Sequence, residues 1–172
     1  MSAADAVPDN VRPLRPPIRR STLVRSDADH TFRVFTEQLA AWWPLVPFSV
    51  GRERVRDVTL EPRTGGRVYE TWDDGTVCEW GEILQWQPPS GLSMTWNATG
   101  TPTCVELRFR ALGARLTEVQ LEHRGWDALT DRELGEDCAL PGGYLGGSFA
   151  QGWTTILGRL SDAAGPTLPV ER

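Results

Sequence analysis

The stretch that decides the fold runs from Gly65 to Trp96, GGRVYETWDDGTVCEWGEILQWQPPSGLSMTW. Two turn signals divide it, Asp-Gly at 74–75 and Pro-Pro-Ser-Gly at 88–91, because these residue types favour tight reversals of the chain. The three runs around the turns are rich in Val, Ile, Thr, Tyr and Trp, which favour strands. The stretch therefore predicts an antiparallel meander. It holds four of the chain's eight tryptophans, so one face of this sheet must be covered.

Further strands are predicted on both sides of the meander. Residues 18–25 form a first candidate strand and residues 54–61 a second. Residues 103–111 and 115–126 alternate between apolar and polar side chains around a short turn, and His123 falls in the apolar phase. These segments predict an antiparallel sheet of six or seven strands.

Two helical segments are predicted to accompany the sheet. Ser26 or Asp27 can cap a helix whose apolar residues recur at near-helical spacing as far as Leu39, and Pro44 then favours a loop. From residue 144 the period is again helical, with one apolar stripe, and the glycine and proline at 165–166 end it. The long C-terminal helix is the expected cover for the sheet, so the fold class is α+β.

The chain is predicted to form one domain between two tails. Residues 1–17 are rich in Pro, Ala and Asp and predict a disordered tail, residues 18–164 the folded domain, and residues 165–172 a C-terminal tail. No apolar run approaches the roughly 20 residues of a membrane helix. The N-terminus lacks the apolar core of a secretory signal. We therefore expect a cytoplasmic protein without membrane insertion.

Composition excludes several kinds of site. All 18 basic residues are arginine, whereas nucleotide-binding P-loops and pyridoxal phosphate sites need a lysine. The net charge of −5 argues against general nucleic-acid binding. Cys78, Cys104 and Cys138 lie far apart and predict reduced thiols, not a disulfide framework or a zinc site. We expect neither a metal nor a cofactor.

Several short motifs give the chain a family resemblance. They are GGR at 65–67, DG at 74–75, WG at 80–81, PP at 88–89, Trp96, HRGW at 123–126 and GW at 152–153. With the order of elements, they resemble the START-like superfamily (SRPBCC), and within it the bacterial branch related to the C-terminal domain of the activator of the Hsp90 ATPase. The resemblance covers roughly residues 18–164. It implies a helix-grip fold, in which a curved sheet surrounds the C-terminal helix and one or two short helices follow strand 1.

The resemblance also implies a cavity between the sheet and the C-terminal helix, which in relatives holds apolar molecules such as lipids, sterols or polyketides. A two-residue turn at 74–75 would pair Glu70 with Glu79 and Val68 with Gly81, and the apolar phase places this face inside. A turn one residue longer would reverse the faces of one strand. No catalytic residue is assigned. The predicted ligand-binding residues are Val68, Glu70, Trp72, Glu79, Ile83, Trp96, Phe109, Leu121, His123, Phe149, Trp153 and Leu157.

Glu70, Glu79 and His123 have two interpretations. In an apolar cavity, two carboxylates and a histidine can perform proton transfer. Alternatively, Glu70 bonds to an arginine such as Arg67 or Arg33, Glu79 lies in water at the mouth of the strand, and His123 is a satisfied core residue. We favour the second interpretation, which leaves the cavity without catalytic groups.

The opposite face of the meander predicts an interface. By the same alternation it carries Tyr69, Trp80, Leu84 and Trp86, which are too apolar for a solvated sheet. Exposed apolar patches of this kind often mark contacts between proteins. The pattern therefore predicts a homodimer.

Three classes of function remain open. Carriage or sensing of an apolar small molecule needs only the cavity and is the prediction we prefer. A polyketide cyclase or dehydratase would use Glu70, Glu79 and His123. Regulation of an Hsp90-type chaperone is implied by the family resemblance alone. Stabilisation by an apolar compound, substrate turnover and chaperone ATP hydrolysis distinguish the three.

Overall fold

The computed structural model describes residues 15–97, 101–130, 132 and 148–166. The described strands are β1 (Ile18–Val24), β2 (Val55–Leu60), β3 (Arg67–Trp72), β4 (Val77–Gln87), β5 (Gly91–Trp96), β6 (Thr103–Gly113) and β7 (Leu116–Arg124). They form one antiparallel sheet in the order β1-β7-β6-β5-β4-β3-β2. The predicted meander is therefore confirmed as β3, β4 and β5, which are neighbours in the sheet.

The two predicted helices lie where the sequence pattern places them, but a short helical turn occupies part of the loop predicted after Pro44. Helix α1 (Ala28–Glu37) and two short helical turns, α2 (Leu39–Trp42) and α3 (Leu45–Phe48), follow β1, and α4 (Ser148–Ala164) follows the sheet. Asp27 caps α1, because its carboxylate accepts from the backbone N–H of His30 at 2.7 Å. Helix α4 packs against β1 and α1. The predicted helix-grip architecture is confirmed, although the expected helix start at residue 144 lies outside the described residues.

Tryptophan rings fill the centre of the space between the sheet and α4. Ring centroids are 4.9 Å apart for Trp43 and Trp80, 5.9 Å for Trp80 and Trp96, and 5.1 Å for Trp96 and Trp153. The void among these rings measures only about 10 Å³, which is at the lower limit for a single water molecule. The interior beneath α4 is thus a packed core, and any small-molecule site must lie at its edge.

The β3–β4 hairpin departs from the predicted register near its turn. Val68 pairs with Gly81 as predicted, but Glu70 pairs with Cys78 instead of Glu79. The loop is one residue longer than predicted, because the N–H of Trp72 bonds to the carbonyl of Thr76 at 2.8 Å. This shift reverses the faces of the first residues of β4. A bulge at residue 80 then restores the predicted pairing.

The predicted outer patch of Tyr69, Trp80, Leu84 and Trp86 is wrong. The bulge at residue 80 turns Trp80 inward, where it is buried. A second bulge, at Leu84, lets Trp86 pack on Phe32 of α1 with ring centroids 5.2 Å apart. Only Tyr69, half-buried, and Leu84, exposed, stay outside. The patch from which a homodimer was predicted therefore does not form, and the homodimer itself stays a prediction.

The contacts of the fold extend further towards the N-terminus than the predicted boundary at residue 18. The backbone N–H of Arg15 bonds to the carboxylate of Asp127 at 2.8 Å, and its guanidinium bonds to the carbonyl of Trp126 at 3.0 Å. Residues 1–14 and 167–172 lie outside the described residues, as does Cys138. Cys78 and Cys104 are free thiols. No helix within the described ranges has the length and apolarity needed to cross a membrane.

Candidate ligand groove

An open groove of about 380 Å³ lies at one end of the packed core. Its walls come from the segment around α3, from β4, from the end of β5 and from the first turns of α4. Six of its lining side chains are aromatic, which is the composition typical of small-molecule sites. The lining residues of this groove are Trp43, Pro47, Phe48, Ser49, Val50, Cys78, Glu79, Trp80, Trp96, Asn97, Phe149, Gly152, Trp153 and Ile156.

A larger hollow of about 640 Å³ on the outer face of the sheet does not compete as a site. Four of its five charged side chains form two pairs: Arg19 lies 3.1 Å from Glu122, and Arg108 lies 2.6 Å from Glu106. The arginine side chains of both pairs are largely exposed. Paired, hydrated charges of this kind describe a solvated sheet face rather than a ligand site.

Internal hydrogen bonds fix the orientation of three tryptophans in the groove. The indole N–H of Trp43 donates to the carbonyl of Phe48 at 2.8 Å. The indole N–H of Trp80 donates to Glu70 at 2.7 Å, and that of Trp153 donates to Nδ1 of His123 at 3.0 Å. These bonds hold the rings before any ligand arrives, so little ordering entropy is lost on binding.

Glu70 is the buried acceptor that fastens one wall of the groove. Oε1 accepts from the backbone N–H of Gly51 at 2.6 Å and from the indole of Trp72 at 2.7 Å. Oε2 accepts from the backbone N–H of Val50 at 3.2 Å and from the indole of Trp80 at 2.7 Å. Four N–H donors match a carboxylate, which only accepts. Glu70 therefore joins the segment after α3 to the sheet.

His123 is a neutral, fully buried core residue. Burial lowers its pKa from 6.5 to about 3. Because Nδ1 accepts from Trp153, the ring proton lies on Nε2, which donates to the hydroxyl of Thr103 at 2.6 Å. That hydroxyl in turn donates to the carbonyl of Trp96 at 3.4 Å. Both ring nitrogens are thus occupied by protein partners, as the second interpretation predicted.

Glu70, Glu79 and His123 do not form the predicted proton-transfer cluster. Ring contacts run from Trp80 to Trp96 and from Trp96 to His123, at 5.9 and 6.4 Å between centroids, and separate His123 from Glu70. Glu79 is exposed and lies 3.5 Å from the guanidinium of Arg67. The predicted arginine partner of Glu70 is wrong, since its donors are amides and indoles.

The twelve predicted ligand-binding residues divide into three groups. Glu79, Trp96, Phe149 and Trp153 line the groove. Glu70, Trp72 and His123 support it through the hydrogen bonds described above. The others are buried in the core and do not line the groove: Val68, Ile83, Phe109, Leu121 and Leu157.

Sequence reasoning missed the wall contributed by residues 43–50. The run Trp-Trp-Pro-Leu-Val-Pro-Phe at 42–48 is unusually aromatic for a loop, and this is the signal that could have found it. Trp80 was missed because the bulge reversed its face. Within the ranges that the structure describes, no group of three or more His, Cys, Asp or Glu side chains is arranged to hold a metal ion.

Comparison with solved structures supports the fold. An anthrahydroquino-gamma-pyrone synthase complexed with SUM is 28% identical, with a TM-score of 0.53, over 87% of this chain and 97% of that one. The self-sacrificing resistance protein CalC from Micromonospora echinospora is 24% identical, with a TM-score of 0.60, over 87% and 94% of the two chains. The Aha1 dimer from Colwellia psychrerythraea is 13% identical, with a TM-score of 0.58, over 87% and 96%. At such identities the last two show the fold alone.

The family comparison matches most of the chain. None of the curated proteins is significantly similar to it. Residues 25–165 match the family described as activator of Hsp90 ATPase homolog 1-like protein. This range runs from the end of β1 to the end of α4 and so includes all the residues that line the groove. The chain therefore belongs to the activator of Hsp90 ATPase homolog 1-like family.

Proposed function

We propose that the chain binds a planar, apolar small molecule in the groove and does not transform it. The observation that carries this proposal is the aromatic lining, in which Trp43, Trp80 and Trp153 are held by internal hydrogen bonds. Flat aromatic ligands pack favourably against such rings. The volume of about 380 Å³ falls within the usual range of small-molecule sites.

The two buried titratable side chains beside the groove are fully bonded to the protein. The two carboxylate oxygens of Glu70 accept hydrogen bonds from four N–H donors, and both ring nitrogens of His123 are hydrogen-bonded to protein groups. A general acid or base must exchange a proton with a ligand within hydrogen-bond reach. Neither buried side chain has a free position for this exchange, and Glu79 in the lining is paired with Arg67, so the groove supports binding better than proton transfer.

The ligand class is suggested by the 28% identical synthase, whose name describes a fused aromatic product. A tricyclic aromatic molecule is flat, and it matches the indole surfaces of the groove. We therefore propose fused tricyclic aromatics as the ligand class and the anthraquinone emodin as the first probe.

The test is a titration with emodin, followed by isothermal calorimetry and by quenching of tryptophan fluorescence. A Cβ atom at Gly152 would lie 2.9 Å from the ring of Phe48, so Gly152→Leu places bulk in the groove. The matched control is Gly158→Leu in the same helix, where an added Cβ would contact nothing within 4 Å. We expect saturable binding to the wild type, about tenfold weaker binding to Gly152→Leu, and no change in the control.

Each outcome of this titration is informative. Failure of emodin to bind the wild type would contradict the proposed function. Equal affinity of wild type and Gly152→Leu would place the ligand outside the groove. Equal weakening in both leucine variants would assign the loss to the helix rather than to the groove.

The 28% identity also favours a second candidate function, synthesis of a related aromatic product. Glu79 would be the carboxylate in contact with substrate, because it lines the groove and is exposed. The test is mass spectrometry of a hydroxyanthraquinone with an open diketone side chain after incubation with the protein. Turnover by the wild type that is lost in Glu79→Gln, with binding retained, would favour synthesis over carriage.

The predicted partners also remain to be tested. The Aha1 structure from Colwellia psychrerythraea is described as a dimer, and light scattering of this chain at micromolar concentration would test for a homodimer. The family description names an Hsp90 ATPase activator. A rise in chaperone ATP hydrolysis on adding the purified chain would support that role.

A further inference from the structure

Trp96 differs from the other tryptophans that line the groove. Trp43, Trp80 and Trp153 each donate the indole N–H to an acceptor of the protein. No described residue accepts from the indole N–H of Trp96. Every buried side-chain nitrogen or oxygen in the described ranges has a hydrogen-bond partner, so an N–H without a partner is not fully buried. The N–H of Trp96 is therefore an accessible, unused donor.

The ring of Trp96 forms part of the groove wall. The half-buried ring borders two spaces, the groove and the void of about 10 Å³ inside the core. The void exposes no polar atom, so the accessible N–H does not open into it. Of these two spaces, only the groove can receive the N–H.

The donor is held in place before a ligand binds. The ring of Trp96 lies 5.1 Å from Trp153, 5.9 Å from Trp80 and 6.1 Å from Trp43, measured between centroids. Its backbone carbonyl accepts from Thr103, which is itself bonded to His123. A donor fixed by packing on three sides loses little freedom when it forms a hydrogen bond.

We propose that Trp96 makes the groove selective for planar aromatics that carry a carbonyl oxygen, because its indole N–H donates to that oxygen. A hydrocarbon of the same shape would cover this N–H and leave it without a partner, which costs affinity. This inference rests on the proposed function and adds the chemical group that the ligand presents.

The experiment uses two tricyclic probes of equal size, fluorenone and fluorene, which differ in one carbonyl. We expect the wild type to bind fluorenone about tenfold more tightly than fluorene. In Trp96→Phe, which keeps an aromatic ring and removes the N–H, the two affinities should agree within about twofold. The matched control is Trp86→Phe, which removes an indole N–H outside the groove, and it should keep the preference.

A second measurement does not depend on any variant being folded. In a proton–nitrogen spectrum of the wild type, fluorenone should move the indole N–H resonance of Trp96 downfield, whereas fluorene should not. Equal affinities of the wild type for both probes, or a preference that survives in Trp96→Phe, would overturn the selectivity and leave the proposed function standing. Failure of both probes and of emodin to bind would remove the proposed function itself.

Discussion

Replacing Glu70 with glutamine exchanges one carboxylate oxygen for an NH₂ group at nearly constant volume. In either orientation of the amide, the NH₂ group faces two N–H donors of the protein. It meets Gly51 and Trp72 in one orientation, and Val50 and Trp80 in the other. One backbone amide and one indole therefore lose their acceptor whichever way the side chain turns.

The expected decrease in the free energy of unfolding follows from how deeply the donors that lose their acceptor are buried. A buried donor without a partner costs about 1–3 kcal/mol. Each orientation leaves one buried donor unpaired, the Gly51 amide or the Trp80 indole, whereas the other abandoned donor, at half-buried Trp72 or exposed Val50, can bond to water. With the loss of the carboxylate charge from the other two bonds, we expect the free energy of unfolding to fall by about 3 kcal/mol.

Urea denaturation followed by circular dichroism measures this change. Amide hydrogen exchange at Val50 and Gly51 reports separately on the wall of the groove. The matched control is Glu79→Gln, the same substitution at the other carboxylate of the predicted pair. Glu79 is exposed beside Arg67, so its change should stay within about 0.5 kcal/mol.

Two results would refute the reasoning about Glu70. A loss below about 1 kcal/mol in Glu70→Gln would mean that the four bonds do not fasten this segment. A loss equal to that of Glu79→Gln would mean that the location of the carboxylate is unimportant. Accelerated exchange confined to Val50 and Gly51, in contrast, would support Glu70 as the anchor of the groove wall.

Three further predictions concern the core. Between pH 6.5 and about pH 3, His123 of the unfolded chain binds a proton that the neutral, buried His123 of the folded chain does not. Acidification should therefore lower the free energy of unfolding by up to about 1.4 kcal/mol per pH unit. In a denaturation series, the free energy of unfolding of His123→Gln should fall less steeply with pH, and equal slopes would contradict the assignment. Gly81→Ala would place a Cβ atom in collision with the backbone carbonyl of Thr95 and should destabilise by more than about 3 kcal/mol in thermal unfolding. Gly113→Ala, where the added atom contacts nothing within 4 Å, should be nearly neutral. Trp153→Ala should cost about 3–5 kcal/mol in urea unfolding because its ring is enclosed between α4 and the sheet, and a cost below about 1 kcal/mol would place the ring in water.

The candidate site could be predicted only in part, because some of its residues lie on regular elements and the others do not. Trp96, Phe149 and Trp153 lie on regular elements, where the side-chain period assigns a face. The wall around Phe48 has no such period, because it consists of a single helical turn and the loop that follows it. Its position depends on bonds from Val50 and Gly51 to Glu70, about twenty residues further along the chain. No local sequence pattern predicts a hydrogen bond between residues so far apart in the chain.

The sequence by itself determined the architecture, because turns, strands and amphipathic helices are specified by neighbouring residues. Alternation in β6 and β7 was enough to bury His123, and the helical stripe was enough to lay Trp153 on the sheet. Only the tertiary structure decided where the alternation breaks. The bulges at Trp80 and Leu84 turn side chains to the other face of the sheet, and packing and hydrogen bonds across strands select them. The filled core, the open groove and the free N–H of Trp96 all follow from those long-range contacts.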